Sequence, residues 1–263
     1  MTRVRLGTFN LLHGLALREG SVEQTRLAES AVTIDADVLG LQEVDRSQER
    51  SGRVDQTQVV ADALGAKFAR FAPAVHGTPG ETKWTPATDD DGEATVGPTY
   101  GVGLVSRLPV RSWWVKRYPA APFSLPLLVP SEGKPKLIRV PDEPRVALAA
   151  VVEGDEGPFT VVTAHLSFVP GYNVRQLRSI TRWVARMPQP VFVIGDFNLP
   201  GSLPRRLTGW TSLATAATYP AYKPKVQLDH ILASGLRADQ VAAEHVWSLP
   251  VSDHSALAVD VDW

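Results

Sequence analysis

The stretch Val191-Phe192-Val193-Ile194-Gly195-Asp196-Phe197-Asn198 joins a short apolar run to a polar ending. Four consecutive apolar residues, rich in β-branched and aromatic side chains, are typical of a strand buried on both faces. Asp196 and Asn198 follow this run directly, so the pattern predicts a buried strand that delivers two polar side chains at its end. Taken alone, the same pair is equally typical of a simple Asx turn.

Other predicted strands carry polar residues of the same kinds at their ends. Strand-like patterns cover residues 4–11, 37–44, 159–165, 227–233 and 256–263. Carboxylates, amides and imidazoles stand at or beside these ends: Asn10, Glu43, His165, Asp229 with His230, and Asp253 with His254. Because strand ends and their loops meet at one edge of an α/β sheet, we expect these side chains to converge on one site.

The order of the remaining elements predicts the fold class. Helical spacing follows a capping-box pattern at residues 21–24 and recurs over 54–65 and 173–187, and further strands are predicted over 68–75, 100–106 and 145–153. Two similar halves of strands and helices predict an α/β protein with two sheets packed face to face and helices outside. Residues 76–98 are predicted to be a long loop and residues 119–144 a surface insertion. No linker-like segment interrupts the chain, so we expect one domain over 1–263.

Composition narrows the classes of function. Lys and Arg number 27 against 28 Asp and Glu, so the chain lacks the basic excess of a protein that depends on non-specific contacts to nucleic acid. The absence of cysteine excludes disulfides, zinc–thiolate sites and a cysteine nucleophile. No apolar signal region or membrane-spanning stretch is evident, and we expect a cytoplasmic protein. Nothing in the pattern predicts an oligomeric state.

The expected cluster has a definite chemistry. Carboxylate and amide oxygens suit hard cations such as Mg²⁺ or Mn²⁺, and free histidines suit proton transfer. A hard cation beside two histidines is suited to the attack of water on a phosphoester.

The polar segments also stand in a recognisable order. They are Thr8-Phe9-Asn10, Leu41-Gln42-Glu43-Val44, Ala164-His165-Leu166, Gly195-Asp196-Phe197-Asn198, Leu228-Asp229-His230-Ile231-Leu232 and Ser252-Asp253-His254. In this order they resemble the endonuclease/exonuclease/phosphatase superfamily, the DNase-I-like group, from residue 8 to residue 254. Each motif is common by itself, and the specificity lies in the ordered set. The resemblance implies a four-layer α/β sandwich and metal-dependent hydrolysis of a phosphoester.

The resemblance also implies a role for each matching residue. Glu43 would be the main metal carboxylate, with Asn10 and Asp253 completing a site for Mg²⁺ or Mn²⁺. Asp196 and Asn198 would orient the attacking water and bind a phosphate oxygen. His254, held by Asp229, would lie beside the scissile phosphate, and His165 would bind the phosphate or protonate the leaving group. The general base is left open among His165, His254 and Asp196.

Structural roles compete with each of these assignments, and some candidates rest on position alone. Glu43 is also compatible with a solvated acid, Asp253 with a turn, and Asp229 and His254 with a structural ion pair. Three residues are candidates for substrate binding: His13 follows Asn10, Arg145 begins a strand where many relatives carry an arginine, and Asn173 begins a helix that it could equally cap. By strand alternation His230 should face away from Asp229. Relatives often carry an asparagine soon after the position of Tyr100, where this chain has Gly101, Val102 and Gly103.

Three hypotheses of function remain. We favour a hydrolase of a small or lipid-derived phosphoester, because the net charge is near zero and the loops are compact. A nuclease would need a basic stripe, to which six arginines could contribute: Arg3, Arg5, Arg175, Arg178, Arg205 and Arg206. A catalytically silent binding protein on the same fold is the third hypothesis, against which the intact motif set argues.

Overall fold

A computed structural model describes residues 3–80, 84–88, 97–129 and 136–263. The strands are β1 Arg3–Asn10, β2 Leu15–Ala16, β3 Ser21–Val22, β4 Val38–Arg46, β5 Phe68–His76, β6 Thr85–Pro86, β7 Thr99–Ser106, β8 Val110–Tyr118, β9 Ser124–Val129, β10 Lys136–Pro141, β11 Arg145–Gly154, β12 Gly157–His165, β13 Val191–Asp196, β14 Thr211–Ser212, β15 Asp229–Ser234, β16 Val241–Trp247 and β17 Ala256–Asp262. The helices are α1 Gln24–Ile34, α2 Gln56–Leu64, α3 Tyr172–Trp183 and α4 Leu203–Thr208, with 3₁₀ turns at Leu12–Gly14, Glu49–Ser51 and Ala238–Gln240.

Two large mixed sheets form the body of the protein. The first has the strand order β16-β17-β1-β4-β7-β5-β6, and its β1–β4 pair is parallel. The second has the order β14-β15-β13-β12-β11-β8, and its β12–β13 pair is parallel. In each sheet the parallel pair therefore lies near the centre, where both faces of a strand are buried.

Side chains alternate between two environments along the central strands. In β13, Phe192 and Ile194 belong to the core between the two sheets, whereas Val191 and Val193 face the layer of α3. In β1, Val4 and Leu6 likewise enter the core between the sheets, and Phe9 packs in the cluster shared with α1 and α2. Three apolar clusters thus separate four layers, which confirms the predicted α/β sandwich.

A buried polar chain also joins the sheets close to the predicted site. The Thr8 hydroxyl donates to Gln42 Oε1 at 3.1 Å, and Gln42 Nε2 donates to Thr163 Oγ1 at 2.9 Å. Thr8 and Gln42 lie on β1 and β4, while Thr163 lies on β12 of the other sheet. Because buried polar groups are costly unless paired, these bonds fix the register of one sheet against the other.

Several local predictions need correction. The predicted capping box at Ser21 does not form: Ser21 pairs in β3, Glu23 precedes the helix, and α1 begins at Gln24. The amphipathic helix ends at Trp183 rather than Met187. The strand β16 and the short helix α4 were not predicted.

The two segments predicted to lack regular structure hold short strands where the structure describes them. The segment 76–98 contains β6, the insertion 119–144 contains the antiparallel β9–β10 pair, and their other parts lie partly outside the described residues. Among the described residues, no helix is long and apolar enough to cross a bilayer.

Candidate active site

The polar residues that follow the strands meet where the edges of the two sheets come together. Asn10 ends β1 and Glu43 lies on β4 of the first sheet, while His165 ends β12 and Asp196 ends β13 of the second. Three further residues join them from loops or strand starts: Asn198, Asp229 and His254. The geometry therefore brings these seven residues together through hydrogen bonds and contacts of up to 3.7 Å, while no hydrogen bond among the described residues joins the Asp253 side chain to them.

Glu43 owes its orientation to an irregularity in β4. The pairing of β4 with β7 shifts register between Leu41 and Val44, which marks a bulge at Gln42 and Glu43. Glu43 has a φ of 54°, an uncommon backbone conformation for a residue other than glycine. Bulges and left-handed residues of this kind often redirect a side chain at a functional site. Here the irregularity turns Glu43 toward Asn10.

Asn10 connects two carboxylates from different sheets. Its Nδ2 donates to Glu43 Oε1 and to Asp196 Oδ2, each at 3.1 Å, while its Oδ1 accepts the backbone N–H of Leu12 at 3.0 Å. The backbone bond fixes which end of the amide faces the cluster, because a reversed amide would leave the Leu12 N–H facing another donor. In this orientation Asn10 holds the two carboxylates in place; its role as a metal ligand remains a prediction.

His254 and Asp229 form the tightest pair in the group. His254 Nδ1 lies 2.8 Å from Asp229 Oδ2, and both side chains are buried. The carboxylate accepts, so Nδ1 carries a hydrogen and Nε2 faces Asp196 Oδ2 at 3.7 Å. Burial alone would lower the pKa of His254, but the negative charges of Asp229 and Asp196 outweigh it and raise the pKa to about 10. His254 is therefore a cation that can donate from Nε2 at neutral pH.

His165 is held in a different state by Arg145. Arg145 Nη1 lies 3.2 Å from His165 Nδ1, and a guanidinium can only donate, so Nδ1 accepts and Nε2 carries the hydrogen. Asn198 Nδ2 lies 3.3 Å from that Nε2 and donates to the Leu166 carbonyl. Because both nitrogens carry hydrogens, the contact between them is not a hydrogen bond. The His165 Nε2–H instead faces Asp196 Oδ2 at 3.5 Å. Burial, followed by the charge of Arg145, lowers the pKa of His165 well below its ordinary value.

Asp196 lies at the centre of these contacts. Its Oδ1 accepts the backbone N–H of Asn198 at 2.9 Å, and its Oδ2 faces both imidazoles and the amide of Asn10. Asn198 has a φ of 49°, which closes the tight turn that this backbone bond requires. Burial raises the pKa of Asp196 to about 6 against the opposing charge of His254. The two imidazoles and the Asn10 amide thus meet at one oxygen of Asp196.

Two groups of residues offer ligand atoms to a metal. Oxygen or nitrogen atoms of Asp196, Asp229 and His254 lie within 4.8 Å of one another. His254 and Asp229, however, already face each other across a hydrogen bond, which would have to break for both to bind an ion. Glu43 is the better oxygen donor: burial, with repulsion from Asp253 and Asp196, raises its pKa to about 7, and a cation would relieve that repulsion. The donor chemistry therefore fits a hard divalent ion at Glu43 and Asp253.

The weaker candidates occupy different positions. Arg145 is buried and contacts His165 directly. Asn173 is also buried, and its Nδ2 donates to the Asn198 carbonyl at 3.0 Å, so it supports the turn that carries Asn198. His13 has a φ of 46° and is half-buried; among the described contacts its ring makes no hydrogen bond to the cluster. Burial lowers the pKa of His13 to about 4. Substrate binding by these residues remains a prediction.

His230 faces away from the cluster, as strand alternation predicts. Its Nε2 lies 2.8 Å from the Leu199 carbonyl oxygen, and its ring stacks on Phe197.

Sequence reasoning did not assign three residues that position the site. Asp142 Oδ2 accepts the Ser167 hydroxyl at 2.8 Å, and its Oδ1 lies 3.6 Å from Arg145 Nη2. Ser252 donates its hydroxyl to the Asn10 carbonyl at 2.7 Å and accepts the backbone N–H of His254 at 3.0 Å. The Tyr219 ring lies 4.9 Å from that of His254. Of these three, only Ser252 could have been identified from the sequence, because it lies inside the Ser-Asp-His segment.

Comparison with known proteins gives a family and a fold. The sequence profile of the Endonuclease/Exonuclease/phosphatase family matches residues 7–254. No curated protein matches the chain significantly.

Among solved structures, an endonuclease/exonuclease/phosphatase from Beutenbergia cavernae is similar with a TM-score of 0.67 and 20% identity, over 99% of this chain and 72% of that one. A mannosyl-6-phosphatase of Bacteroides thetaiotaomicron has a TM-score of 0.62 and 15% identity, over 99% and 100% of the two chains. Sphingomyelinase C of Streptomyces griseocarneus has a TM-score of 0.60 and 15% identity, over 100% of both. At these identities the likeness shows the fold alone.

Proposed function

The chain belongs to the endonuclease/exonuclease/phosphatase family, and we propose that it is a divalent-metal-dependent hydrolase of a small or lipid-derived phosphoester. This proposal rests mainly on the group of side chains that contact Asp196. It joins a neutral imidazole, a cationic imidazole and an amide-held glutamate within one buried cluster. His254 is hydrogen-bonded to Asp229 and His165 to Arg145, and both imidazoles face Asp196, an arrangement suited to proton transfer at a phosphoester.

Glu43 and Asp253 would hold the metal, with Asn10 orienting Glu43. When bound, an Mg²⁺ or Mn²⁺ ion supplies Lewis-acid neutralisation of charge on the phosphoryl oxygens. Asp253 has part of its surface open to the cleft, and its backbone carbonyl accepts the Ala221 N–H at 2.7 Å, which fixes its loop. The site would therefore offer oxygen ligands from strand β4 and from the loop that precedes β17.

The side chains of this protein divide the remaining work. Asp196 orients the attacking water and accepts its proton; its Oδ2 lies where both imidazoles and the Asn10 amide meet. His254 donates from Nε2 to a phosphoryl oxygen, while Asp229 holds the ring through Nδ1. His165 donates from Nε2 to the phosphate or to the leaving oxygen, because Arg145 keeps its Nδ1 an acceptor. Fixed donors in a buried site stabilise the developing charge without reorganisation.

The surroundings of Asp253 support a compact substrate. A cavity of about 610 Å³ is bordered by Ser252 and Asp253. Its wall mixes Leu17, Leu249 and Tyr222 with Arg18 and with an ion pair of Arg26 and Glu19. This volume lies within the usual range for small-molecule sites. An apolar wall beside a cationic side chain suits a phosphoester with a sugar or lipid-headgroup leaving part. The solved relatives named as a mannosyl-6-phosphatase and a sphingomyelinase C make these substrate classes the first to test.

The nuclease hypothesis has less support. Arg3 and Arg5, two of the six arginines considered for a basic stripe, are paired with Asp262 and Asp260. The other four lie exposed on α3 and α4, and among the described residues none of them contacts the group around Asp196. A nuclease would need an uncompensated positive path along the cleft for the phosphate backbone.

The experiment is a panel of substrates measured with Mg²⁺, Mn²⁺ or EDTA. It comprises p-nitrophenyl phosphate, bis-p-nitrophenyl phosphate, a hexose 6-phosphate, sphingomyelin, an inositol polyphosphate, RNA and both forms of DNA. We expect metal-dependent cleavage of a small or lipid ester that Asp196→Ala abolishes. Preferential cleavage of nucleic acid would contradict the substrate class, and no cleavage together with no metal binding would favour a silent binding protein.

A further inference from the structure

One face of α3 forms a cavity with the end of the edge strand β8. Arg175, Arg178, Ser179 and Arg182 recur at the spacing that places side chains on one side of a helix. Together with Tyr118, Pro119, Tyr172 and Gln176 they line a space of about 370 Å³, here named the α3 cavity. It lies outside the hydrogen-bonded group around Asp196, and none of its lining residues takes part in that group.

The arginines of the α3 cavity carry uncompensated charge. Arg175, Arg178 and Arg182 are exposed, and no carboxylate of the described residues pairs with them or lines the cavity. Arg175 instead lies over the Tyr172 ring, 5.5 Å from its centroid. By contrast, Arg3 and Arg5 of β1 are each paired with an acid of β17. Three like charges on one helix face repel each other unless an anion lies between them.

A buried amide supplies an independent sign of a ligand. Gln176 is 4% exposed, and its Oε1 accepts the Ser167 backbone N–H at 2.8 Å. That bond fixes the orientation of the amide, so Nε2 must point elsewhere, and it has no hydrogen-bond partner. A buried donor without an acceptor is costly, and Gln176 lines the α3 cavity. Nε2 itself is closed to solvent, so a small movement of the Gln176 side chain would be needed to bring this donor to a ligand in the cavity.

Every charged or amide group that lines the α3 cavity can act as a donor. The guanidinium groups cannot accept, the Gln176 amide keeps an unpaired Nε2, and the hydroxyls of Tyr118 and Ser179, which lie beside each other, are able to donate. Burial raises the pKa of Tyr118 to about 12, so its hydroxyl keeps its hydrogen at neutral pH. A ligand that matches this lining must be rich in acceptors and negatively charged. Guanidinium forks match phosphate oxygens in geometry as well as in charge.

We propose that the α3 cavity binds a phosphate group, distinct from the one hydrolysed at Asp196, carried by a small phosphorylated molecule or a lipid headgroup. Tyr118 and Pro119 also line the neighbouring cavity that Arg145 borders, so the two sites lie along one side of the protein. The binding itself does not depend on hydrolysis, because the donors of the α3 cavity are separate from the catalytic group.

The test is calorimetric titration of the whole protein with pyrophosphate in EDTA, which removes any metal-dependent binding. Arg178→Gln with Arg182→Gln removes two charges from the α3 cavity, and Arg205→Gln with Arg206→Gln removes two exposed charges from α4 as the matched control. We expect the cavity variant to lose at least ~10-fold in affinity and the control to keep it, on the usual strength of charged hydrogen bonds. Thermal unfolding checks that both variants remain folded.

A second arm distinguishes the source of the phosphate. Vesicles of phosphatidylcholine with and without phosphatidic acid replace pyrophosphate in a sedimentation assay. Binding to phosphatidic acid alone, lost in the cavity variant, would support the site and identify a lipid headgroup as its source. Equal weakening in both variants, binding of single-stranded DNA alone, or no binding of either phosphate probe would overturn the proposal. Because no arm measures turnover, these outcomes are independent of the hydrolase proposal.

Discussion

Replacing Asp229 by Asn is expected to slow hydrolysis while leaving the fold in place. Asp229 is fully buried on β15, directly opposite Asp196 of β13, and its Oδ2 accepts from His254 Nδ1 at 2.8 Å. Asparagine keeps the shape but removes the charge that holds the imidazole cationic and aligned. A charged hydrogen bond contributes about 1.5–3 kcal/mol, which corresponds to a loss of roughly 10- to 200-fold in kcat if the contribution acts in the transition state.

The assay for this prediction is steady-state hydrolysis of bis-p-nitrophenyl phosphate in saturating Mg²⁺. Asp239→Asn, an exposed change on the surface ion pair with Arg237, is the matched control and should be as active as the unaltered protein. If Asp229 acts only through His254, the double variant with His254→Ala should be no slower than His254→Ala alone. Unchanged kcat in Asp229→Asn, or losses that multiply in the double variant, would refute the orienting role.

Three other predictions concern the metal, the backbone and pH. Glu43→Ala should abolish Mg²⁺ binding in calorimetry and turnover with it; near-normal rates in excess Mg²⁺ would exclude Glu43 as the main ligand. Gly195→Ala should lower the free energy of unfolding in urea by more than ~3 kcal/mol, because φ is +143° and the new Cβ would lie 1.9 Å from the Ala164 carbonyl oxygen; an unchanged midpoint would argue against that backbone. Asp260 pairs with Arg5 and His245, and its hydrogen bond to Arg5 is the main reason that its pKa falls from 3.8 to about 2. That stabilisation is present above pH 4 and lost as pH falls toward 2, so Asp260→Asn should cost about 2 kcal/mol at pH 7 and almost nothing at pH 2; an equal cost at both values would contradict the assignment.

The sequence predicted the central strands because both of their faces are buried. The first four residues of Val191–Asp196 are apolar, and a run of this kind is typical of a strand that is covered on both faces. The edge strand β16 alternates half-buried and exposed residues and carries Glu244 and His245, so its pattern is weak. Helix α4 is six residues long and begins with Leu203-Pro204, which is too short for helical periodicity to be evident.

The candidate site followed from strand ends, but its finer geometry did not. Asp196 and His165 end neighbouring parallel strands, so their approach could be inferred from topology. Glu43 depends on a bulge, which shifts the side-chain alternation by one residue without a sequence signal. Asp142 contacts Ser167 and Arg145. These contacts form because the insertion folds back on the second sheet, and the sequence pattern does not indicate that fold.

The proposed role of Asp196 in metal-dependent phosphoester hydrolysis can be measured with a chromogenic phosphodiester. The measurement is the release of p-nitrophenolate from bis-p-nitrophenyl phosphate by the unaltered protein, by Asp196→Ala and by the exposed control Asp62→Ala, each with Mg²⁺ and with EDTA. We predict turnover in Mg²⁺ by the unaltered protein and the control, and none above background in EDTA or by Asp196→Ala. Equal turnover by Asp196→Ala, or turnover unaffected by EDTA, would contradict the proposed chemistry.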